Sequence, residues 1–132
     1  MLRMPGYRAV RSATFGIALL LVATISIGCV ERADLPGDCE AEGAQRQASL
    51  SGDRLDPERI DVCRGQEVTI EIASERAGEL HLHGYDKEVE AAPGETATFK
   101  FTATLAGQFV IELHPPDGGA EIEVGLLTVH EP

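Results

Sequence analysis

The stretch Glu-Val-Thr-Ile-Glu-Ile, residues 67–72, carries the clearest structural signal of this 132-residue chain. Its apolar residues Val68, Ile70 and Ile72 alternate with polar or charged residues. Side chains along a strand point alternately to its two faces, so this segment has one apolar and one polar face. The alternation predicts a β-strand that has one face in a core and the other in water.

The same alternation recurs on both sides of this strand. Further apolar segments lie at residues 47–50, 60–62, 80–83, 97–102, 109–113 and 122–129. Turns rich in Gly and Pro separate them about every ten residues, and no helical periodicity interrupts the series. We therefore predict an all-β protein, a β-sandwich of seven to eight short strands. In the last segment the apolar positions change parity at Gly125, which predicts a β-bulge.

Two histidines stand out in the segment Leu-His-Leu-His-Gly-Tyr-Asp, residues 80–86. In a strand, His81 and His83 share one face, while the two leucines point the other way. Two imidazoles on one face can share a metal ion, but so short a motif also occurs on ordinary solvated faces. Gly84 allows the chain to turn where the strand ends.

The N-terminal residues are typical of a secretory signal. Residues 1–14 contain three Arg and no acid, residues 15–27 are apolar or small, and Cys29 follows Gly28. The apolar run is shorter than the roughly 20 residues of a membrane-spanning helix. A Cys after Gly28 resembles the lipobox of bacterial lipoproteins, in which the Cys becomes the lipidated first residue, although Ser26 stands where that motif usually has Leu.

The resemblance implies that residues 1–28 are a lipoprotein signal peptide and that lipid on Cys29 anchors the chain to the extracytoplasmic face of the cell membrane. Ordinary signal cleavage and an uncleaved anchor are the alternatives. Residues 29–45 are poor in apolar side chains and are expected to form a tether, which leaves residues 46–132 as the domain. Cys39 and Cys63 are then an even pair in an oxidising compartment, so we expect a disulfide rather than free thiols or metal ligands.

The charge of the mature chain limits its partners. Without the leader, 8 Lys and Arg residues stand against 22 Asp and Glu, a net charge of −14. So acidic a chain is not expected to bind nucleic acid or to dock electrostatically on anionic lipid, but it suits cations. No Ser-His-Asp order or paired-acid signature indicates catalysis, so we expect no enzyme activity and no catalytic residues.

Four stretches, residues 65–72, 81–86, 92–95 and 106–114, resemble the cupredoxin-like domains of bacterial secreted and membrane-anchored proteins, especially the EfeO-type group. The resemblance extends over roughly residues 47–129. It implies a Greek-key β-sandwich with a metal site at one end, often for copper. One histidine ligand would come from a strand end, as at His83-Gly84-Tyr85, and others from the loop after the Gly-x-Phe strand, near His114.

One departure from that family changes the expected chemistry. Blue-copper members end the Gly-x-Phe strand with a Cys, but here that position holds Leu113, and no Met follows Met4. A type 1 copper site needs the thiolate, so blue-copper electron transfer is not expected. The expected metal ligands are His83 and His114, which meet if the two strand ends lie together, with His81 as a third.

A carboxylate from Asp86, Glu112 or Asp117 could complete the site. Imidazole with carboxylate suits copper, with zinc or iron as alternatives. His130 lies two residues from the C-terminus and is expected to be solvated. Three hypotheses remain open at this point: a metal-binding lipoprotein, whose protein partner in metal uptake is unknown; a metal-free interaction module; and an enzyme.

Overall fold

The computed structural model describes residues 39–132. The expected signal peptide, the lipidation of Cys29 and the first part of the tether lie outside these residues. Nine strands make up the domain: β1 Gly43–Ser51, β2 Arg54–Asp56, β3 Arg59–Cys63, β4 Glu67–Ser74, β5 Gly78–Leu82, β6 Lys87–Ala91, β7 Glu95–Thr102, β8 Gly107–His114 and β9 Ile122–His130.

The strands form two sheets that pack as a sandwich. One sheet has four strands in the order β2-β1-β4-β7, and the other has five in the order β3-β9-β8-β5-β6. The pairs β1–β4 and β3–β9 are parallel, and the other pairs are antiparallel. Residues 39–132 contain no helix, and therefore none that is long and apolar enough to cross a membrane. The all-β sandwich predicted from the alternating pattern is confirmed.

Two of the nine strands had no signal in the sequence. β2 has only three residues, and β6 falls in a charged segment that lacks apolar alternation. Both lie at a sheet edge: β2 ends the first sheet and β6 ends the second. An edge strand with exposed side chains needs little apolar alternation, and charge there discourages pairing with other chains.

The core lies between the sheets and is built from the inward faces of the predicted strands. Val68, Ile70 and Ile72 of β4 are all buried, and Ile70 pairs with Phe99 of β7 across the sheet. Complete burial of such a side chain contributes about 1.5–3 kcal/mol to stability. In β9, Val124 and Gly125 are buried in succession where the register with β8 shifts, which confirms the predicted bulge.

The expected tether ends earlier than its predicted boundary. β1 begins at Gly43, which pairs with Glu67, so residues 43–45 belong to the sheet. Immediately before it, Cys39 forms a disulfide with Cys63 at the end of β3, with the two Cα atoms 5.3 Å apart. The chain that leads into the domain is thereby held against the edge of the five-stranded sheet, because β3 is its outermost strand.

We predict that this disulfide is present in the exported protein and that Cys63→Ser lowers the free energy of unfolding by about 3 kcal/mol, the chain-entropy value for a loop of this size. Mass spectrometry of peptides prepared without reduction tests the bond, and urea unfolding tests its contribution. Two thiols that can be alkylated in the folded protein would contradict the prediction.

Candidate metal centre

Five polar residues gather on the outward face of strands β5 and β8. Glu79 and His81 lie on β5, His83 follows it directly, and Glu112 and His114 lie on β8. The intervening residues of both strands point into the core, which is why these five share the other face. His81 pairs with Glu112 across the strands, and Glu79 pairs with His114. We call these five residues the histidine face.

The expectation that the ends of the two strands lie together is wrong. β5 and β8 are antiparallel neighbours, so the end of one strand lies beside the start of the other. The backbone N–H of His83 donates to the carbonyl of Val110 (3.0 Å), whereas His114 lies opposite Glu79. His83 and His114 are therefore at opposite ends of the segment in which β5 and β8 pair. The loop after β8 begins beside Glu79.

His81 lies between the other two imidazoles. Its ring centroid is 4.3 Å from that of His83 and 5.6 Å from that of His114. Its Nε2 is buried and has no hydrogen-bond partner within residues 39–132, although Oδ1 of Asp86 lies 3.6 Å away. A buried nitrogen without a partner is costly, so this atom is a candidate ligand.

Glu112 connects the two separated histidines. His83 Nε2–H donates to Oε2 of Glu112 (2.6 Å), and the same oxygen lies 3.8 Å from Nε2 of His114. The carboxylate is only 22% exposed. The strand register explains this position, because Glu112 is level with His81, midway between the other two imidazoles.

One group of three residues in the described part of the chain brings its ligand atoms within 4.8 Å of one another: Glu112, His114 and Glu121. Nε2 of His114 lies 3.8 Å from Oε1 of Glu121, and its Nδ1 lies 3.9 Å from Oε1 of Glu79. Glu121 precedes β9 and was not among the expected ligands. An acidic residue directly before a strand was its only signal in the sequence, and that signal is common.

The three residues fit a divalent transition metal. Nε2 of His114 is buried without a hydrogen-bond partner in the described residues, and it faces carboxylate oxygens of Glu112 and Glu121. Metal–ligand distances of about 2.0–2.2 Å require only small movements of these side chains. The group has no thiolate, and Leu113, at the position where the resemblance led us to expect the Cys of a blue-copper protein, is fully buried in the core. Asp117 is not in the group; its carboxylate accepts the N–H of Gly119 (3.0 Å).

Gly78 sets how closely β5 approaches the strand end that carries His114. A Cβ at this glycine, whose φ is +147°, would lie 2.5 Å from the carbonyl oxygen of His114 and 2.9 Å from Cδ1 of Leu113. Gly94 also has a positive φ, +82°, but no atom would lie within 4 Å of its Cβ. Substitution of Gly78 would therefore cause both backbone strain and a steric clash, whereas substitution of Gly94 would cause backbone strain alone.

We predict that Gly78→Ala lowers the free energy of unfolding by about 3 kcal/mol or more, because strain and a clash with backbone act together. Gly94→Ala, the matched control, should cost about 1–2 kcal/mol from strain alone. Urea unfolding of both variants provides the comparison. Equal losses would contradict the claim that β5 and β8 are in close contact at Gly78.

The expectation that His130 is solvated is wrong. Its side chain is three-quarters buried, and its Nε2–H donates to Oδ1 of Asp61 (2.7 Å). Burial raises the pKa of the Asp61 carboxyl, but hydrogen bonds from His130 and Arg59, together with their positive charges, outweigh burial and leave the pKa below its ordinary value of 3.8. The pair joins β3 to the last strand, away from the histidine face.

Because folding lowers the pKa of Asp61, its contribution to stability is complete above the ordinary pKa and is lost as the pH falls through the folded value. We predict that Asp61→Asn lowers the free energy of unfolding by about 1 kcal/mol at neutral pH, and that the loss shrinks below about pH 4. Urea unfolding from pH 3 to 7 provides the measurement, with the exposed acid Glu95→Gln as control. A loss that does not depend on pH would contradict the ionic role.

No family model and no curated protein sequence matches the chain. Among solved structures, a copper-binding protein studied by NMR in its apo form is 16% identical, with a TM-score of 0.55, over 67% of this chain and 89% of that one. Auracyanin A, a blue copper protein of Chloroflexus aurantiacus, is 19% identical, with a TM-score of 0.50, over 67% of this chain and 99% of that one.

This chain has a cupredoxin-like fold. The blue copper oxidase of Nitrosomonas europaea extends the likeness, with 21% identity and a TM-score of 0.51 over 66% of this chain and 38% of the larger protein. Identities this low establish a shared sandwich and not a shared site. The finer resemblance to the EfeO-type group stays a prediction.

Proposed function

We propose that this protein is an extracytoplasmic lipoprotein whose cupredoxin-like domain binds Cu(II) without catalysis and without blue-copper electron transfer. Glu112, His114 and Glu121 are the proposed ligands. The observation that carries the proposal is Nε2 of His114, which is buried, has no hydrogen-bond partner in the described residues and faces two carboxylates.

The proposed ligands have distinct parts in binding. His114 offers Nε2, while its Nδ1 faces Glu79, which can orient the ring in the way that carboxylates orient metal-binding imidazoles. The charges of Glu112 and Glu121 offset that of a divalent cation. Bound Cu(II) would supply a positive charge held by nitrogen and oxygen, and the lack of a thiolate argues against a role in rapid electron transfer.

The choice of Cu(II) over the other candidates rests on affinity and ligand type. Sites made of nitrogen and oxygen bind Cu(II) more tightly than Zn(II) or other divalent first-row ions. Zinc and ferric iron are the alternatives. Binding of any of them requires a neutral imidazole, so affinity should fall as the pH drops through the histidine range.

Calorimetric titration of the mature protein, purified in detergent, tests the proposal. We expect uptake of Cu(II) at micromolar concentration or below, with weaker binding of Zn(II). Glu71→Gln on the outward face of the other sheet makes the same change of charge as Glu121→Gln and should leave binding unchanged. A wild-type protein that binds none of Cu(II), Zn(II) and ferric iron would overturn the proposal.

A metal-free interaction module is the second candidate, and one contact favours it. The hydrogen bond of 2.6 Å from His83 already gives the carboxylate of Glu112 a partner without any metal ion. In that case Glu112→Gln would lower stability through the lost bond, and metal ions would not alter the unfolding temperature. A rise in unfolding temperature with Cu(II) would exclude this function as the sole role of the histidine face.

A further inference from the structure

We propose that the histidine face holds a second metal subsite, formed by His81, His83 and Asp86 and coupled to the first through Glu112. The inference rests on the proposed function, since it extends the same face from one ion to two. The sequence alone suggested a single ion shared by three histidines. The strand register instead divides the histidines into His114 at one end and the pair His81 and His83 toward the other.

Two imidazole nitrogens, and not one, are left without partners. Nε2 of His81 and Nε2 of His114 are both buried and make no hydrogen bond within the described residues. The group formed by Glu112, His114 and Glu121 accounts for only one of them. The His81 side chain is 16% exposed, so water has little access to its nitrogen. A second cation would satisfy this atom, just as the first satisfies that of His114.

The residues around His81 offer further ligands. The ring of His83 lies 4.3 Å from the ring of His81 between centroids, tilted by 39°. Oδ1 of Asp86 lies 3.6 Å from Nε2 of His81, and two ligands of one ion at about 2.0–2.2 Å are typically about 3–4 Å apart. Asp86 is 96% exposed, which leaves its carboxylate free to rotate toward an ion.

The backbone at Asp86 supports a special role for this residue. Its φ is 52°, and it is the one described residue other than glycine with a positive φ. Such a conformation is uncommon for a residue with a side chain, although Asp adopts it more readily than most. The turn that contains it leaves Oδ1 of Asp86 3.6 Å from Nε2 of His81.

Glu112 links the two subsites. Its Oε2 is 2.6 Å from Nε2 of His83 and 3.8 Å from Nε2 of His114, so one carboxylate contacts a histidine of each. Two-metal sites hold their ions about 3.5–4 Å apart, a separation that one carboxylate can span with its two oxygens. Across β6, Glu88 pairs with His81 and Glu90 with Glu79, and these charges favour a second cation.

The stoichiometry of binding tests the second subsite. Native mass spectrometry of the mature protein loaded with Zn(II) should find two ions per chain in the wild type, and one in His81→Ala and in the milder His81→Asn. Glu71→Gln is the control and should keep two. Circular dichroism and the unfolding temperature of each apo variant establish that the sandwich is folded, which separates loss of a ligand from loss of structure.

Electron paramagnetic resonance provides an independent readout. With two equivalents of Cu(II), the wild type should give a half-field signal from coupled ions, and His81→Ala should lose it while its spectrum at one equivalent stays that of the wild type. If the wild type and His81→Ala both bind one ion per chain, or both bind two, the second subsite would be overturned and the proposed function would stand. Binding of no ion by the wild type would overturn both.

Discussion

Replacing His114 by alanine should weaken Cu(II) binding by about 100-fold or more. The variant removes the only nitrogen ligand of the proposed first site. Nε2 of His114 lies 3.8 Å from Oε2 of Glu112 and 3.8 Å from Oε1 of Glu121. Loss of a residue that only orients a ligand already costs about 10–100-fold in affinity, so loss of the ligand itself should cost at least as much. Calorimetric titration of Cu(II) measures the change.

Two further variants test whether the loss of Cu(II) affinity is specific to the proposed ligands. Glu121→Gln should weaken binding by about 10-fold, because a neutral amide oxygen is a poorer ligand for a divalent cation. Glu71→Gln makes the same change of charge on the other sheet and should have no effect. His114 lies on the outward face at the end of β8 and is not part of the core, so its loss should leave the sandwich folded. Equal affinities for the wild type and His114→Ala would contradict the assignment of this residue.

Replacing Cys29 by serine should move the protein from the membrane fraction to the soluble extracytoplasmic fraction. The prediction follows from the apolar run that ends in Gly28-Cys29. A single acyl chain binds a membrane only marginally, so a stable anchor implies more than one chain on the cysteine. Fractionation followed by immunoblotting measures the distribution. Almost all of the Cys29→Ser protein should appear in the soluble fraction.

A second readout and a control distinguish a lipid anchor from an uncleaved apolar leader. Growth with a labelled fatty acid should mark the wild type and not Cys29→Ser. Ser26→Leu, which brings the segment closer to the lipobox pattern, should keep both the label and the membrane association. Unchanged membrane association of Cys29→Ser would contradict the lipid anchor and favour an uncleaved apolar leader.

The alternation in residues 67–72 predicted the architecture because it reports directly which face of a strand is buried. Val68, Ile70 and Ile72 are in the core, and the bulge near Gly125 lies where the apolar parity changes. β2 escaped prediction because three residues are too few to show a pattern, and β6 escaped it because an edge strand with mostly exposed, charged side chains does not need one.

The candidate site was predicted only in part, because the alternation of apolar and polar residues within one strand does not show which strands pair or in which register. His81 and His83 were placed on one polar face by their alternation with Leu80 and Leu82, and both leucines are buried. His114 was expected after its strand and not on this face. The antiparallel register that separates His83 from His114 depends on which residues pair across β5 and β8, and the sequence did not reveal it. Glu121 was missed because a loop brings it to the face.

Spectra of the mature protein with one equivalent of Cu(II) test the central claim most directly. We predict a bound Cu(II) ion whose electron paramagnetic resonance spectrum carries hyperfine structure from imidazole nitrogen, with no intense blue absorption. His114→Ala should lose that spectrum. Free Cu(II) in the wild-type sample, an intense blue band, or an identical spectrum in His114→Ala would contradict it.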